Sequence, residues 1–274
     1  MSAARAIRAR ALGRAAFAWL ATLAIAGVAQ ADAGRTFVGC PVYRDTDSGP
    51  KSGCWLIVDP ASGIRYDISL GRSKPQLGHE VLVEGRLDSP RQAGRIALRQ
   101  TPCGGVVLAP VVDSVLPAAC PGFMLPAEGY PGRRFVLDRK LVLAPADAPE
   151  PLPRLPYRER TWSIEFTFGS DFLQYQYSEI ILDRIARYIR AAHPRRIEVT
   201  GYAVTESREV SGHRIAEQPR LARARARMVA LALARLGATP GMLHVGWGSN
   251  PPPLTRTAGL AQPSRRRVDI RLSY

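Results

Sequence analysis

Histidine and cysteine are scarce in this chain, four of each in 274 residues. Neither set is spaced to hold a metal. His79, His193, His213 and His244 are scattered, and Cys40, Cys54, Cys103 and Cys120 form no C-x-x-C pair, which argues against zinc and dithiol redox sites. Asp45-Thr46-Asp47-Ser48-Gly49 begins like a calcium loop but lacks the rest of the ligand ladder and a closing Glu at the right distance, so it reads as a turn. No nucleophile elbow, phosphate loop or zinc signature occurs. Nothing in the chain calls for a cofactor, and nothing marks it as an enzyme. Long apolar runs are missing as well. The single candidate, Phe17 to Val28, is too short for a bilayer, which takes about 20 residues.

That run has a different meaning. Arg5, Arg8, Arg10 and Arg14 precede it with no acid among them, and Ala29-Gln30-Ala31 follows as a small-x-small cleavage signal. Basic, apolar, small is the order of a secretory signal peptide, so residues 1–31 are expected to be removed on export. No cysteine stands at the cleavage point to carry a lipid. In an exported chain, an even number of cysteines favours disulfides over metal. Four cysteines allow three connectivities. The short loops favour local pairs, Cys40–Cys54 and Cys103–Cys120, each contributing about 2–4 kcal/mol. The formal net charge is +15, and removing the four leader arginines leaves +11. A basic surface favours anionic partners. Outside the cytosol these are anionic cell-wall polymer and lipid head groups rather than nucleic acid.

Residues 35–143 read as β-rich. Cys54–Val58, Ile64–Ile68, Val81–Leu87, Ile96–Leu98 and Val106–Leu108 are short apolar or alternating segments, with Gly and Pro in the gaps and no sustained helical period. They predict a small disulfide-bonded barrel or sandwich, an OB-like barrel being one form. Residues 144–160, APADAPEPLPRLPYRER, form a proline-rich linker. From Thr161 the period changes. Trp162–Phe168 alternates like a strand, and Ser170 or Asp171 can cap a helix carrying Leu173, Tyr177, Ile181 and Ile185 on one stripe, with His193-Pro194 as its stop. Ile197–Gly201 is a second strand, followed by a polar stretch, 202–219. A second helix spans Leu221 to Leu236, with Leu221, Ala226, Val229, Leu233 and Leu236 facing the sheet and Gly237 ending it. Strands beginning at Met242 and covering Arg267–Leu272 close the chain. The fold class is α+β: a β domain at 35–143 and a β-α-β-α-β-β two-layer sandwich at 161–274.

Five pieces of the second half resemble, in order, the OmpA-like peptidoglycan-binding family. Phe166-Thr167-Phe168-Gly169-Ser170 is similar to its opening strand and cap. Val199-Thr200-Gly201-Tyr202 resembles the strand that ends in Gly-His or Gly-Tyr. Leu221 to Val229, LARARARMV, is similar to the Leu-Ser-x-x-Arg-Ala-x-x-Val helix. Gly246-Trp247-Gly248-Ser249-Asn250-Pro251 and Arg265-Arg266-Arg267-Val268-Asp269-Ile270 resemble its Gly-x-Gly loop and its Arg-Arg-Val-Glu-Ile close. The resemblance implies non-covalent peptidoglycan binding through the diaminopimelate of the stem peptide, with a helix Arg on the carboxylate and an Asp on the ammonium. By position the helix Arg is Arg225. The family's Asp falls at Val204, so Glu206 is the nearest acid that could stand in for it, with Tyr202 and Thr205 as rims. The stretch from there to the helix is longer than the family's, and Leu-Ser has become Leu221-Ala222. Two roles stand open for Arg225: ligand contact, or a fold-supporting arginine satisfied by backbone carbonyls. Two functions follow. The chain is a periplasmic or outer-membrane-associated wall-binding protein, or its OmpA-like fold has lost the diaminopimelate site and pairs with other envelope proteins.

Overall fold

Short β-branched segments bounded by Gly and Pro make the first half a sheet. The computed structural model describes residues 34–44, 53–88, 104–122, 124–125, 155–175, 177–257 and 260–274. The expected leader, the turn at Asp45–Gly49, the strand at Ile96–Leu98, Cys103 and the proline-rich stretch up to residue 154 lie outside the described residues. Strands β1 (Arg35–Gly39), β2 (Pro41–Arg44), β3 (Cys54–Val58), β4 (Arg65–Asp67), β5 (His79–Leu87), β6 (Val106–Ala119) and β7 (Met124–Leu125) form one sheet in the order β1-β5-β6-β4-β3-β2-β7. Its core is Phe37, Ile57, Tyr66, Ile68, Val81, Val83, Leu108 and Val111. β1 and β2 are separated in the chain only by Cys40, yet they pair with β5 and β3 respectively, far apart in the strand order. β6 runs far beyond the expected Val106–Leu108, because it pairs with nearly the whole of β5.

The cysteines differ from expectation. Cys40 and Cys120 are free thiols, so the local pairs Cys40–Cys54 and Cys103–Cys120 are not formed. Strand order explains why. β1 and β6 flank β5, with Gly39 opposite Val81 and Ala119 opposite His79. The residues after these two partners, Cys40 and Cys120, therefore meet at the start of β5, and their thiols share a hydrogen bond. Burial, and then the Cys40 thiol, push Cys120 up to about 12. Loop length alone could not show that the sheet brings distant cysteines together.

The second half follows the expected order. β8 (Arg160–Glu165), α1 (Tyr177–Ala192), β9 (Arg196–Ala203), α2 (Arg220–Arg235), β12 (Leu243–Ser249) and β13 (Arg267–Ser273) form the sandwich, with a short helix α3 (Ala261–Arg265) before β13. The sheet order is β12-β9-β13-β8, parallel only between β12 and β9. Ile164, Val199, Val268 and Ile270 meet Ile185, Ile189, Val229 and Leu233 in the core between sheet and helices. α1 starts at Tyr177 rather than after Ser170, because the Ser170 side chain accepts only the nearby Phe172 N–H and its carbonyl is taken by Arg225. His193, at φ 45°, ends α1, and Gly237, at φ 102°, follows α2. Within α2 the buried stripe is Ala222, Arg225, Ala226, Val229, Ala230 and Leu233; Leu221 and Leu236 lie outside it. The polar stretch 202–219 holds an unforeseen hairpin, β10 (Arg208–Val210) and β11 (His213–Ile215).

This hairpin ties the two halves together. Asp32–Tyr274 is one compact unit. Val210 and Ile215 pack on Val38, Leu82 and Leu116 of the first sheet, with Phe168 beside them. The Val38 N–H donates to Ser211 Oγ (3.1 Å), and the Phe168 N–H donates to Ser114 Oγ (2.9 Å). Between them lies a buried charge cluster: Glu84 of β5 accepts from Arg208 of the hairpin and from Arg266 before β13. Burial pushes the Glu84 carboxyl up, but the two guanidinium groups outweigh it and hold it below its ordinary value.

Candidate ligand site at the start of the second helix

Gly201 sets the geometry. A Cβ there would come within 2.1 Å of the Ala222 carbonyl oxygen and 2.9 Å of the Ala226 nitrogen. Only glycine lets α2 lie this close to β9, and the close approach carries Arg225 inside, where it has no exposed surface. A guanidinium has five N–H donors. Arg225 Nε donates to Ser170 O (2.8 Å), Nη1 to Tyr202 O (2.9 Å) and Glu217 Oε2 (2.9 Å), and Nη2 to Thr167 O (3.2 Å) and Glu217 Oε1 (2.5 Å). Every donor has an acceptor.

Glu217 is equally saturated. Besides Arg225, its Oε1 accepts from the Gly169 N–H (3.0 Å) and its Oε2 from the Val204 N–H (2.9 Å). Its backbone N–H donates back to Val204 O (2.8 Å). Val204, where the resemblance puts the family's Asp, thus presents its backbone to the carboxylate of Glu217. The extra chain length that forms the hairpin returns to α2 through Glu217, so an internal carboxylate sits bidentate on the helix arginine.

The sequence-predicted residues separate into two places. Arg225 and the Tyr202 carbonyl meet in the interior. Glu206 does not reach them: it is exposed and pairs with Arg265 (3.0 Å). The Thr205 and Glu206 N–H groups both donate to Asn250 Oδ1, and Asn250 Nδ2 donates to Thr205 Oγ1. This trio fastens the end of β9 to the end of β12. The Tyr202 ring lies elsewhere, against Gly248 and under the Arg267 guanidinium at 5.3 Å. Glu217 was missed because the reading sought an acid just after Val204. The signal that could have found it is an acid shortly before the helix, at the end of an insertion.

Beside the Glu217–Arg225 pair opens a cavity of about 460 Å³, walled by Asp113–Pro117 of β6 on one side and by Thr167–Ser170 and Ala216–Leu221 on the other. Among the described residues no group of His, Cys, Asp and Glu could hold a metal ion, and no helix is long and apolar enough to cross a membrane.

The model of the OmpA family matches residues 165–267, and this part of the chain is an OmpA-like domain. No curated protein matches the chain. Among solved structures, the chain is similar to the OmpA-like domain of FopA1 from Francisella tularensis at 15% identity, over 41% of this chain and 71% of that one, with a TM-score of 0.34. It is similar to the cell wall anchor of the type VI secretion system from Pseudomonas aeruginosa at 24% identity, over 42% and 81%, with a TM-score of 0.33. For the peptidoglycan-associated lipoprotein from Burkholderia pseudomallei the identity is 27%, over 40% and 89%, with a TM-score of 0.30.

Proposed function

We propose that the OmpA-like domain of this chain serves a non-enzymatic, exported cell-envelope protein that associates with peptidoglycan, with its diaminopimelate clamp closed from within. The family of residues 165–267 and the positive charge left after the leader support the wall association. The observation that carries the closed clamp is the Glu217–Arg225 pair. A stem-peptide carboxylate arriving at Arg225 would have to expel Glu217 and open a site with no exposed surface. Removing one partner from a buried pair costs about 3–5 kcal/mol, which a competing carboxylate on the same arginine would have to offset. Glu206 offers no substitute, because it faces Arg265 on the surface.

Co-sedimentation of the mature protein with purified sacculi tests this reading. The protein is expected in the pellet, and millimolar free diaminopimelate is expected not to release it. Release by diaminopimelate would mean that the clamp opens and the closed-clamp reading is wrong. A protein that stays in the supernatant would favour the second reading, an envelope interaction module, which the closed clamp and the tight docking of the two halves also support.

A further inference from the structure

We propose that the cleft between residues 72–74 of the first half and residues 167–175 of the OmpA-like domain binds an N-acetylated amino-sugar chain. The proposal rests on the wall-association reading and names the wall component contacted. A second cavity, about 380 Å³, shares Ser73 and Thr167 with the 460 Å³ cavity beside Glu217. Each is within the range of small-molecule sites, about 300–1,000 Å³.

The walls hold polar groups with nothing to bind. Gln174 is 6% exposed, and neither Oε1 nor Nε2 has a hydrogen-bond partner. Asp113 is fully buried, and its Oδ2 has no partner; Oδ1 accepts a long bond from the Ser73 N–H (3.4 Å). Folded proteins rarely leave such groups orphaned, since each costs about 1–3 kcal/mol. A side-chain amide with donor and acceptor both free is complementary to another amide. An acetamido group supplies a C=O and an N–H at the matching spacing. Asp113 Oδ2 is suited to accept from a hydroxyl.

The mouth carries the other half of the recognition. Phe172 and Tyr175 are 68% and 73% exposed, both on the irregular segment before α1. Rings with an apolar face and, for Tyr, a polar tip suit the C–H faces and hydroxyl edges of a sugar. A lipid surface would use the rings but leave Gln174 and Asp113 unpaired, so the polar orphans favour a sugar. The site needs both halves of the chain, which gives the first β domain a role in binding.

The test is calorimetric titration of the mature protein with chitotetraose, with cellotetraose and fully de-N-acetylated chitotetraose as controls. Chitotetraose is expected to bind saturably and at least about tenfold more tightly than either control, the size of one lost amide hydrogen-bond pair. Gln174→Leu removes the orphaned amide and is expected to fold with a Tm no lower than that of wild type and to lose the preference. Tyr175→Ala, at an exposed position, is expected to weaken chitotetraose binding. No saturable binding, equal affinity for cellotetraose, a preference kept by Gln174→Leu, or binding to anionic phosphatidylglycerol vesicles in place of the sugar would overturn the proposal. If sacculi sediment the protein while chitotetraose fails, the cleft is wrong and the wall reading stands. If sacculi fail as well, the wall reading falls with it.

Discussion

Glu217→Ala should be among the most damaging single substitutions in the chain. It deletes the carboxylate facing a guanidinium with no exposed surface. Two of the five Arg225 donors lose their acceptor, and the Gly169 and Val204 N–H groups lose theirs. An uncompensated buried charge costs about 3–5 kcal/mol. For a unit of this size each kcal/mol moves Tm by about 2–4 °C, so the midpoint should fall by roughly 6–20 °C. The double variant Glu217→Leu/Arg225→Met is the sharper experiment. Where a buried ion pair stands alone, apolar replacement is often neutral or stabilising. Here the pair also serves five backbone groups: the carbonyls of Thr167, Ser170 and Tyr202 and the N–H groups of Gly169 and Val204. Orphaning several of them at about 1–3 kcal/mol each should leave the double variant no more stable than the single one. Differential scanning calorimetry of the three proteins decides the matter. A single variant within about 1 kcal/mol of wild type, or a double variant restored to the wild-type midpoint, would refute the idea that this pair organises the site.

The other predictions concern charge, thiols and close packing. Glu84 is held below its ordinary value of 4.5, so its contribution is present above that pH and is lost as pH falls through the folded value. Glu84→Gln should therefore flatten the acid limb of a plot of urea midpoint against pH. Asp113 runs the other way, because burial raises it from 3.8 to about 6, so the folded state loses stability as pH rises through that interval. Asp113→Asn should stabilise by about 1–3 kcal/mol at pH 7.5 and by little at pH 4, read from urea midpoints at the two pH values. Oxidised glutathione should join Cys40 to Cys120: the two thiols give up two protons and two electrons, and the disulfide reagent becomes two glutathione thiols. With Cys120 pushed up to about 12, the reaction should be slow at pH 7 and faster at pH 9, followed by non-reducing peptide mapping. Gly201→Ala places a methyl 2.1 Å from the Ala222 carbonyl oxygen and should lower stability by about 1–3 kcal/mol, read from the urea midpoint, as α2 lifts from β9.

Much of the second half was legible because its signals are local. The alternation Ile197-Glu198-Val199, the stop at His193-Pro194 and Gly237 after α2 each act within one element and mark where it runs or ends. What stayed hidden depends on pairing between distant segments. The Cys40–Cys120 contact follows from β1 and β6 sharing β5, which no loop length encodes. The hairpin at Arg208–Ile215 lay inside a polar stretch because its few apolar residues, Val210 and Ile215, are too sparse to show a period. Their partners, Val38, Leu82 and Leu116, are in the other half of the chain.

The same limit explains the site. By motif, Arg225 was the residue to find, and Val204 the sign that something had changed. The insertion that follows Val204 does two things at once. It docks β10 and β11 on the first sheet, and it delivers Glu217 to the helix arginine within a few residues of that docking surface. The missing acid and the added length are therefore one structural change. A carboxylate supplied on the chain itself needs no ligand to satisfy Arg225, and a hairpin anchored by Arg208 on Glu84 keeps it there. On this argument, closing the clamp and joining the halves are coupled. Loosening the hairpin with Val210→Asp should weaken the Glu217 contact as well, seen as faster hydrogen exchange at the Gly169 and Val204 amides, whose acceptor is the Glu217 carboxylate. Unchanged exchange at these two amides, with the hairpin detached, would uncouple the two events and leave Glu217 as a local substitution only.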